Sequence, residues 1–373
     1  MTIIINYNLG GTPIFHGDAL ITCRVDKAEN EVKLPVRRKV NGGNCTIYVT
    51  KLVQKLVIVT PQVAFAWAGS LSEIKEFHEL LCEKAKYMPP LLLCDDDELS
   101  SKLGANTSVI LMCMEGTQGV CSCHGVDTMD MPGFGEINYA GSGAGDYLGH
   151  IGHYVSGSSL NISQDIKSGE DIVGLAKSLS GSLTALQMQS GYGLDNSWGG
   201  ALETMWADGG GFNKVDDILY LFWTVHKESG DSYRFGFDRC LVKLFYHEDN
   251  MYCRFVDEDS ARDDLIVIPS LANLDGKEAV KTDAEILKKS VSISKNTTLM
   301  NIVTIYDEAE QWEAMATVPV SSGKYFRQVR LRCSNEGEFL HVKYPIKLVK
   351  EILKGCGMPI HKNIRSLRTN QVF

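Results

Sequence analysis

Strand-like and helix-like segments follow one another along this chain in an order that excludes several common folds. A doubly wound parallel sheet needs strict alternation of strand and helix, which this chain does not show. The order favours an α+β protein with mixed or antiparallel sheets and helices grouped outside them. The segments, in chain order, are strands over 2–25 and 51–69, a helix from Leu71, strands over 102–140, helices over 146–155 and 170–189, and strands from Gly199.

The pattern of the chain changes near residue 233. Beyond it, short strands with charged neighbours alternate with short helices such as DAEILKKSV and IKLVKEILKG, and the acidic stretch 257–278 has the composition of a linker. At roughly 100–200 residues per domain, the length of 373 residues predicts two domains or one enlarged domain with an appendage. We predict a first domain over residues 1–232 and a C-terminal α+β extension over residues 233–373.

Composition and charge narrow the functional classes. Hydrophobic residues make up 44% of the chain and charged residues 22%, which is typical of a globular protein with a substantial core. The net charge of −9 and the shortness of the basic stretches argue against nucleic-acid binding. We find no apolar run of the ~18–20 residues that span a bilayer, and no basic segment before the apolar N-terminal stretch. We therefore expect a cytoplasmic protein, without a membrane partner, whose eleven scattered cysteines are reduced thiols.

Two motifs suggest a metal or a cofactor, and neither is complete. The C-S-C-H run places Cys121 and Cys123 on one face of a strand, but no second ligand pair lies nearby at zinc spacing. The glycine-rich run 141–145 follows a strand and begins a helix, with Asp165 twenty residues further on, as in a dinucleotide-binding turn. It lacks the third glycine, and the Asp146 carboxylate would repel a pyrophosphate. We expect neither a metal nor an organic cofactor.

The second residue, Thr2, is a candidate nucleophile. Methionine aminopeptidases generally remove Met1 before a residue as small as threonine, and removal would leave Thr2 with a free α-amine beside its hydroxyl. An α-amine has an ordinary pKa of about 7.7–8.0, so that it can accept the hydroxyl proton near neutral pH. We expect this hydroxyl to be exposed at the chain end. By itself the signal is weak, because many chains that begin Met-Thr continue as ordinary edge strands.

Residues downstream of Thr2 follow the pattern of a known family. Asp18 lies sixteen residues beyond Thr2 in a Gly-Asp step, Thr22 follows it, and Lys55 opens a strand fourteen residues before Gly69. This arrangement resembles the N-terminal-nucleophile (Ntn) hydrolases, and among them the proteasome β-subunits and their bacterial HslV-type threonine peptidase relatives.

Later segments match the same family less closely. The Gly-Ser-Gly step at 141–143, with Ser142 at its centre, follows a strand and begins a helix as the family's step does. Asp195 and Ser197 approximate the family's Asp and Ser-Gly-Gly segment, at an interval one residue shorter. The resemblance covers roughly residues 2–230, and it implies a four-layer αββα sandwich, which the C-terminal α+β extension would follow.

The resemblance also implies a role for each residue. Thr2 would attack the substrate carbonyl, Lys55 would supply positive charge beside its hydroxyl, and Asp18 would keep that lysine charged and in place. The Gly69 N–H would donate to the tetrahedral oxyanion, because glycine permits close approach of the substrate. The implied orienting groups for the α-amine are Ser142 together with Ser197 or Asp195.

Two further residues are implied to flank the substrate. Thr22 takes the place of the family's substrate-flanking threonine. Trp67 lies two residues before Gly69, where the family forms the base of the substrate pocket, and its bulk predicts a preference for small residues on the acyl side of the scissile bond. Lys51 remains an alternative to Lys55, because the connection that precedes both is longer than in the family.

The implied function is that of a threonine-type amide hydrolase, and more closely a peptidase, with peptide or protein substrates. The family forms rings, so the resemblance also implies a homo-oligomer, with an ATP-dependent unfoldase as a possible partner. Two alternatives share the same fold: a catalytically inactive scaffold or ring-forming protein, and an amidase for small amides. Whether Met1 is removed distinguishes the enzyme from the scaffold.

Overall fold

Two compact units make up the chain in a computed structural model. The first consists of Met1–Val215 with Ile268–Gly276, and the second of Asp216–Val267 with Lys277–Phe373. The structure describes residues 2–23, 32–37, 48–157, 169–190, 193–194, 198–228, 233–274, 283–307, 311–321, 323, 325, 327–333, 340–358 and 364–366.

The described residues of the first unit form antiparallel strands and four helices. Its strands are β1 (Ile4–Leu9), β2 (Thr12–Asp18), β3 (Leu20–Cys23), β4 (Tyr48–Leu52), β5 (Leu56–Thr60), β6 (Val63–Ala68), β7 (Ser108–Glu115), β8 (Gln118–His124), β9 (Asp127–Met131), β10 (Gly135–Ala140), β11 (Leu202–Asp208) and β12 (Gly211–Lys214). Its helices are α1 (Leu71–Lys84), α2 (Asp97–Ser100), α3 (Ala144–Gly157) and α4 (Gly169–Ser190), with short 3₁₀ turns at Pro90–Leu93 and Leu271–Asn273.

These strands form two main sheets and a separate pair. The larger sheet has six strands in the order β12-β11-β2-β1-β10-β9, and the smaller has four in the order β5-β6-β7-β8. β3 and β4 pair with each other. Every pairing within the two main sheets is antiparallel, so the end of each strand lies beside the beginning of its neighbour.

Alternation along the strands distributes the apolar side chains of the described residues over three hydrophobic clusters. One cluster contains Ile4 and Phe15 of the six-stranded sheet together with Ala64 and Ile110 of the four-stranded sheet. The other two clusters join each sheet to helices. Ile3, Ile5 and Tyr7 pack with residues of α3 and α4, whereas Phe65 and Trp67 pack with Ile74, Phe77 and Leu81 of α1. The four-layer αββα sandwich remains a prediction.

Helix α1 begins where the hydrophobic period predicted it, at Leu71. The Ser70 hydroxyl accepts a hydrogen bond from the Glu73 N–H at 3.5 Å and caps the first turn. Within the residues that the structure describes, no helix is long and apolar enough to cross a membrane.

The second unit contains a large sheet, a separate pair of strands, and helices, one of which packs against the large sheet. Its strands are β13 (Ile218–Lys227), β14 (Tyr233–His247), β15 (Asn250–Asp257), β16 (Arg262–Ile268), β17 (Thr298–Asp307), β18 (Trp312–Ser321), β19 (Arg330–Cys333), β20 (Leu340–Lys343) and β21 (Ile364–Ser366), and its helices are α5 (Ala284–Val291) and α6 (Ile346–Gly355). The main sheet has the order β16-β15-β14-β13-β17-β18, with β21 beside β14, and β19 pairs with β20. Helix α6 buries one apolar face against this core.

Two sequence-based boundaries in this part of the chain differ from the structure. The predicted boundary at 232/233 falls after β13, but β13 pairs with β14 and, in parallel, with β17, so the second unit already begins at Asp216. The acidic stretch 257–278 is not a linker throughout, because β16 lies within it and buries Ile266 and Ile268. Beyond β16 the chain returns to the first unit, where the Gln54 N–H donates to the Pro269 carbonyl at 3.0 Å.

Candidate active site

Strand register brings Thr2 and Asp18 to the same edge of the six-stranded sheet. Ile4 lies opposite Gly17 across the β1–β2 hairpin, and the Asp18 N–H donates to the Ile3 carbonyl at 3.2 Å. Thr2, which immediately precedes β1, therefore lies beside the last residue of β2. The neighbouring strands β10 and β11 place the loops at 141–143 and 198–200 at this edge, since each of them pairs with β1 or β2.

Asp18 is the buried acceptor at the centre of this edge. Its side chain is 0% exposed. One carboxylate oxygen accepts hydrogen bonds from the Thr2 hydroxyl and, at 3.1 Å, from the Ile3 N–H, while the other accepts from the Gly199 N–H at 2.9 Å. Burial raises the pKa of Asp18, and the positive charge of Lys55 and these hydrogen bonds oppose that rise.

The backbone of Thr2 is held by the glycine-rich turn that follows β10. The Gly143 N–H donates to the Thr2 carbonyl at 3.3 Å. Gly141 adopts a φ of +99°, and a Cβ there would lie 2.0 Å from the same carbonyl oxygen, so glycine is required at this position. Ser142 lies between them and is exposed. The predicted Gly-Ser-Gly step therefore contacts the candidate nucleophile through its glycines.

The expectation that the Thr2 side chain is exposed is wrong. It is 1% exposed, because its hydroxyl faces Asp18 and its methyl group packs against the turn at Gly141. A carboxylate that accepts from the hydroxyl polarises its O–H bond and makes the oxygen more nucleophilic. A substrate can reach that oxygen only after the chain around Thr2 is uncovered.

Lys55 lies just before β5 and is also buried, with 2% of its surface exposed. Burial lowers its pKa from 10.5 to about 8, and the negative charges of Asp18 and Glu203 oppose that fall. Its ammonium nitrogen lies 3.9 Å from the ring centroid of Trp67, a cation–π contact. Lys51, the alternative lysine, is exposed on β4.

Glu203 on β11 belongs to this site, although the sequence analysis did not include it. It is 1% exposed, and one carboxylate oxygen accepts from the backbone N–H groups of Lys55 at 2.6 Å and Leu56 at 3.2 Å. The other oxygen forms a salt bridge with Lys214 at 2.9 Å. Glu203 therefore anchors the start of β5, in the smaller sheet, to the larger sheet. The sequence signal is limited to an acidic residue near the start of the strand LETMWAD, followed by the apolar residues Met205, Trp206 and Ala207.

The described contacts of the two predicted substrate-binding residues and of the predicted oxyanion donor are with other neighbours. Trp67 is fully buried in the α1 cluster, and its indole N–H donates to the Gln54 carbonyl at 3.1 Å. Gly69 has a φ of +103°, and a Cβ there would lie 2.0 Å from the Asn106 carbonyl oxygen. Thr22 is half-buried on β3, opposite Val49. Among the described contacts we find none that joins Gly69 or Thr22 directly to Thr2.

A second buried polar cluster lies between β2 and helix α4. The two ring nitrogens of His16 lie 2.8 Å from the Tyr7 hydroxyl and 2.9 Å from the Ser180 hydroxyl, and Thr204 lies 3.3 Å from the second of them. Burial lowers the pKa of His16 to about 3, so the imidazole is neutral at pH 7. His16 thus acts here as a hydrogen-bonded core residue.

The remaining sequence predictions have mixed outcomes. Asp195, Ser197 and Asp165 lie outside the described residues. The dinucleotide-binding alternative is wrong, because β10 runs antiparallel to both of its neighbours, β1 and β9, and so the run 141–145 does not belong to a parallel β-α-β unit. Over the described parts of the chain, no group of three or more His, Cys, Asp or Glu residues is arranged to hold a metal ion.

This chain matches neither a protein-family model nor a curated protein sequence. The functional proposal therefore depends on the geometry of the site.

Proposed function

We propose that the chain is an N-terminal-threonine amide hydrolase that acts through Thr2 after removal of Met1, with peptides as substrates. The observation that carries the proposal is the contact between the Thr2 hydroxyl and the buried Asp18, whose charge is coupled to the buried Lys55. The coupling of Lys55 to Asp18 and the exposure of Lys51 favour Lys55 as the lysine of the site.

The proposed reaction uses groups that this chain supplies. The Thr2 hydroxyl oxygen attacks the substrate carbonyl carbon, and its proton passes to the α-amine that removal of Met1 creates. Lys55 stabilises the negative charge that develops on the oxygen, and Gly69 is the proposed donor to the oxyanion. The amine proton then passes to the departing nitrogen as the C–N bond breaks. Water hydrolyses the resulting ester and restores Thr2.

The proposal includes the fold and the assembly. The three hydrophobic clusters support an αββα arrangement, since each main sheet shares one cluster with the other sheet and one with helices. We propose in addition a ring-shaped homo-oligomer, served by an ATP-dependent unfoldase. Light scattering at micromolar protein in physiological salt tests the assembly, and a monomer throughout that range would contradict it.

The test of the proposed chemistry begins with the intact mass of the purified protein, which reports whether Met1 is absent. Thr2→Ala should then reduce hydrolysis of a peptide-amide library to background, and Thr2→Ser should retain part of it. Thr12→Ala, on the neighbouring strand β2, is the matched control and should leave activity unchanged. A β-lactone or epoxyketone should add once per chain, at Thr2. Undiminished hydrolysis by Thr2→Ala would refute the mechanism.

A second candidate function is a non-catalytic scaffold of the same fold. The burial of the Thr2 side chain, at 1% exposed, favours it, because a nucleophile must be reached by its substrate. Retention of Met1, together with no reaction of Thr2 with either electrophile, would establish this alternative over the enzyme.

A further inference from the structure

Two cysteines lie side by side on the outer strand of the four-stranded sheet. Cys121 and Cys123 are two residues apart on β8, so their side chains lie on the same face. Their sulfur atoms are 3.7 Å apart, and both residues are exposed. β7 is the single strand that pairs with β8 among the described residues. The pair is thus an accessible dithiol on a strand whose other edge is unpaired in the described sheet.

The immediate surroundings make one sulfur the better nucleophile. A hydrogen bond from Cys121 lowers the pKa of Cys123, and burial and the negative charge of Glu136 oppose that effect. Since the thiolate is the reactive form, Cys123 is the sulfur that attacks first. Burial raises the pKa of Cys253, in the second unit, to about 12, which is typical of an inert structural thiol.

We propose that Cys121 and Cys123 form a redox-active pair that low-molecular-weight disulfides such as glutathione disulfide oxidise to an intrastrand disulfide. The Cys123 thiolate attacks one glutathione sulfur, forms a mixed disulfide and releases the first glutathione thiolate. Cys121 then gives its proton to solvent and attacks the Cys123 sulfur, which releases the second. The two electrons lost by the cysteines reduce glutathione disulfide to two glutathione molecules.

Strand geometry makes this disulfide labile. Residues two apart on an extended strand have Cα atoms about 6.6–6.8 Å apart, at the upper end of the range that a disulfide tolerates. Closing the bond therefore bends β8, and strained, exposed disulfides are the ones that cellular thiols reduce most easily. The pair is consequently suited to reversible oxidation. The proposal is independent of the reaction proposed for Thr2.

The test uses the full chain in glutathione buffers of increasing disulfide fraction, followed by alkylation and proteolysis after glutamate. Cleavage after Glu115 and Glu136 releases the fragment 116–136, which contains Cys121 and Cys123 and no other cysteine. In the oxidised wild-type protein the mass of this fragment should be two hydrogens below that of its dithiol form, and dithiothreitol should restore the dithiol. Two separate glutathione adducts without an internal bond, or no reaction in excess glutathione disulfide, would overturn the proposal.

Single variants trap the mixed disulfide. Cys121→Ser should accumulate it at Cys123, because the resolving thiol is missing. Cys123→Ser should accumulate it at Cys121 for the same reason. Cys82→Ser, which alters a half-buried thiol on α1, is the control and should leave the internal disulfide unchanged. Absence of a stable mixed disulfide in both single variants would contradict the proposed intermediate.

Discussion

Replacing Asp18 by asparagine should destabilise the first unit, because three donors and one cation depend on its carboxylate. Asparagine offers a single carbonyl oxygen, so the Gly199 N–H, now 2.9 Å from the second carboxylate oxygen, would face an amide NH₂. A lost hydrogen bond to a charged group costs about 1.5–3 kcal/mol. Lys55 would lose the favourable charge of Asp18, and the buried carboxylate of Glu203 would remain as its source of negative charge.

We therefore expect Asp18→Asn to lower the free energy of unfolding by about 1.5–3 kcal/mol, the cost of the lost hydrogen bond to a charged group. Lys55→Met in the same background removes the charge to which Asp18 is coupled, so that the double variant should recover about 0.5–3 kcal/mol relative to additivity.

Urea unfolding followed by circular dichroism and by tryptophan fluorescence measures both quantities, provided that the m-value is unchanged. Asp130→Asn, on the exposed strand β9, is the matched control and should change stability by no more than about 0.5 kcal/mol. A loss below about 1 kcal/mol for Asp18→Asn, or a coupling energy of zero with Lys55→Met, would refute the electrostatic description of this site.

Three further perturbations test other parts of the first unit by the same urea titrations. The pKa of Lys55 is lowered to about 8 in the folded protein, so the unfolded chain binds more protons than the folded one between pH 8 and 10.5. Across that window the free energy of unfolding of the wild-type protein should rise by about 3 kcal/mol relative to that of Lys55→Met. His16, with its pKa lowered to about 3, should make the wild-type protein lose stability relative to His16→Gln as pH falls from 6.5 to 3; parallel curves would contradict this. Gly69→Ala should cost at least about 2 kcal/mol, because its Cβ would overlap the Asn106 carbonyl oxygen. Gly116→Ala, at a φ of +62° with open space around it, should cost only about 1–2 kcal/mol.

The local parts of the site could be predicted from sequence, and the non-local parts could not. The family resemblance implied that Asp18 acts near Thr2, and the β1–β2 hairpin supplies the physical reason, because a hairpin pairs residues at intervals set by its turn. The period that begins at Leu71 likewise predicted α1. Glu203 joined the site only because β11 pairs with β2, which no local pattern specifies. The Gly199 donor is a backbone N–H, and backbone donors have no side-chain signature.

The same reasoning accounts for the misplaced boundary. β13 has a strand pattern like those before it, and its membership of the second unit depends on parallel pairing with β17, where Ile218 lies opposite Thr298. β17 lies too far along the chain from β13 for local composition to show that the two strands pair. Burial of Thr2 was missed for a related reason, because the turn at Gly141 and the carboxylate of Asp18 reach it from other strands.

The hydrogen bond from Gly199 to Asp18 also sets an order of events during synthesis of the chain. Gly199 lies 181 residues after Asp18, so a ribosome that adds about 5–20 residues per second needs about 10–40 s to deliver it. During that interval Thr2 has left the ribosome, but the edge that later encloses it is incomplete. An aminopeptidase that acts on nascent chains can therefore trim Met1 before β11 docks, whereas the completed fold leaves 1% of the Thr2 surface accessible. Under the proposed mechanism, the pace of translation would then decide whether Thr2 is released as a nucleophile.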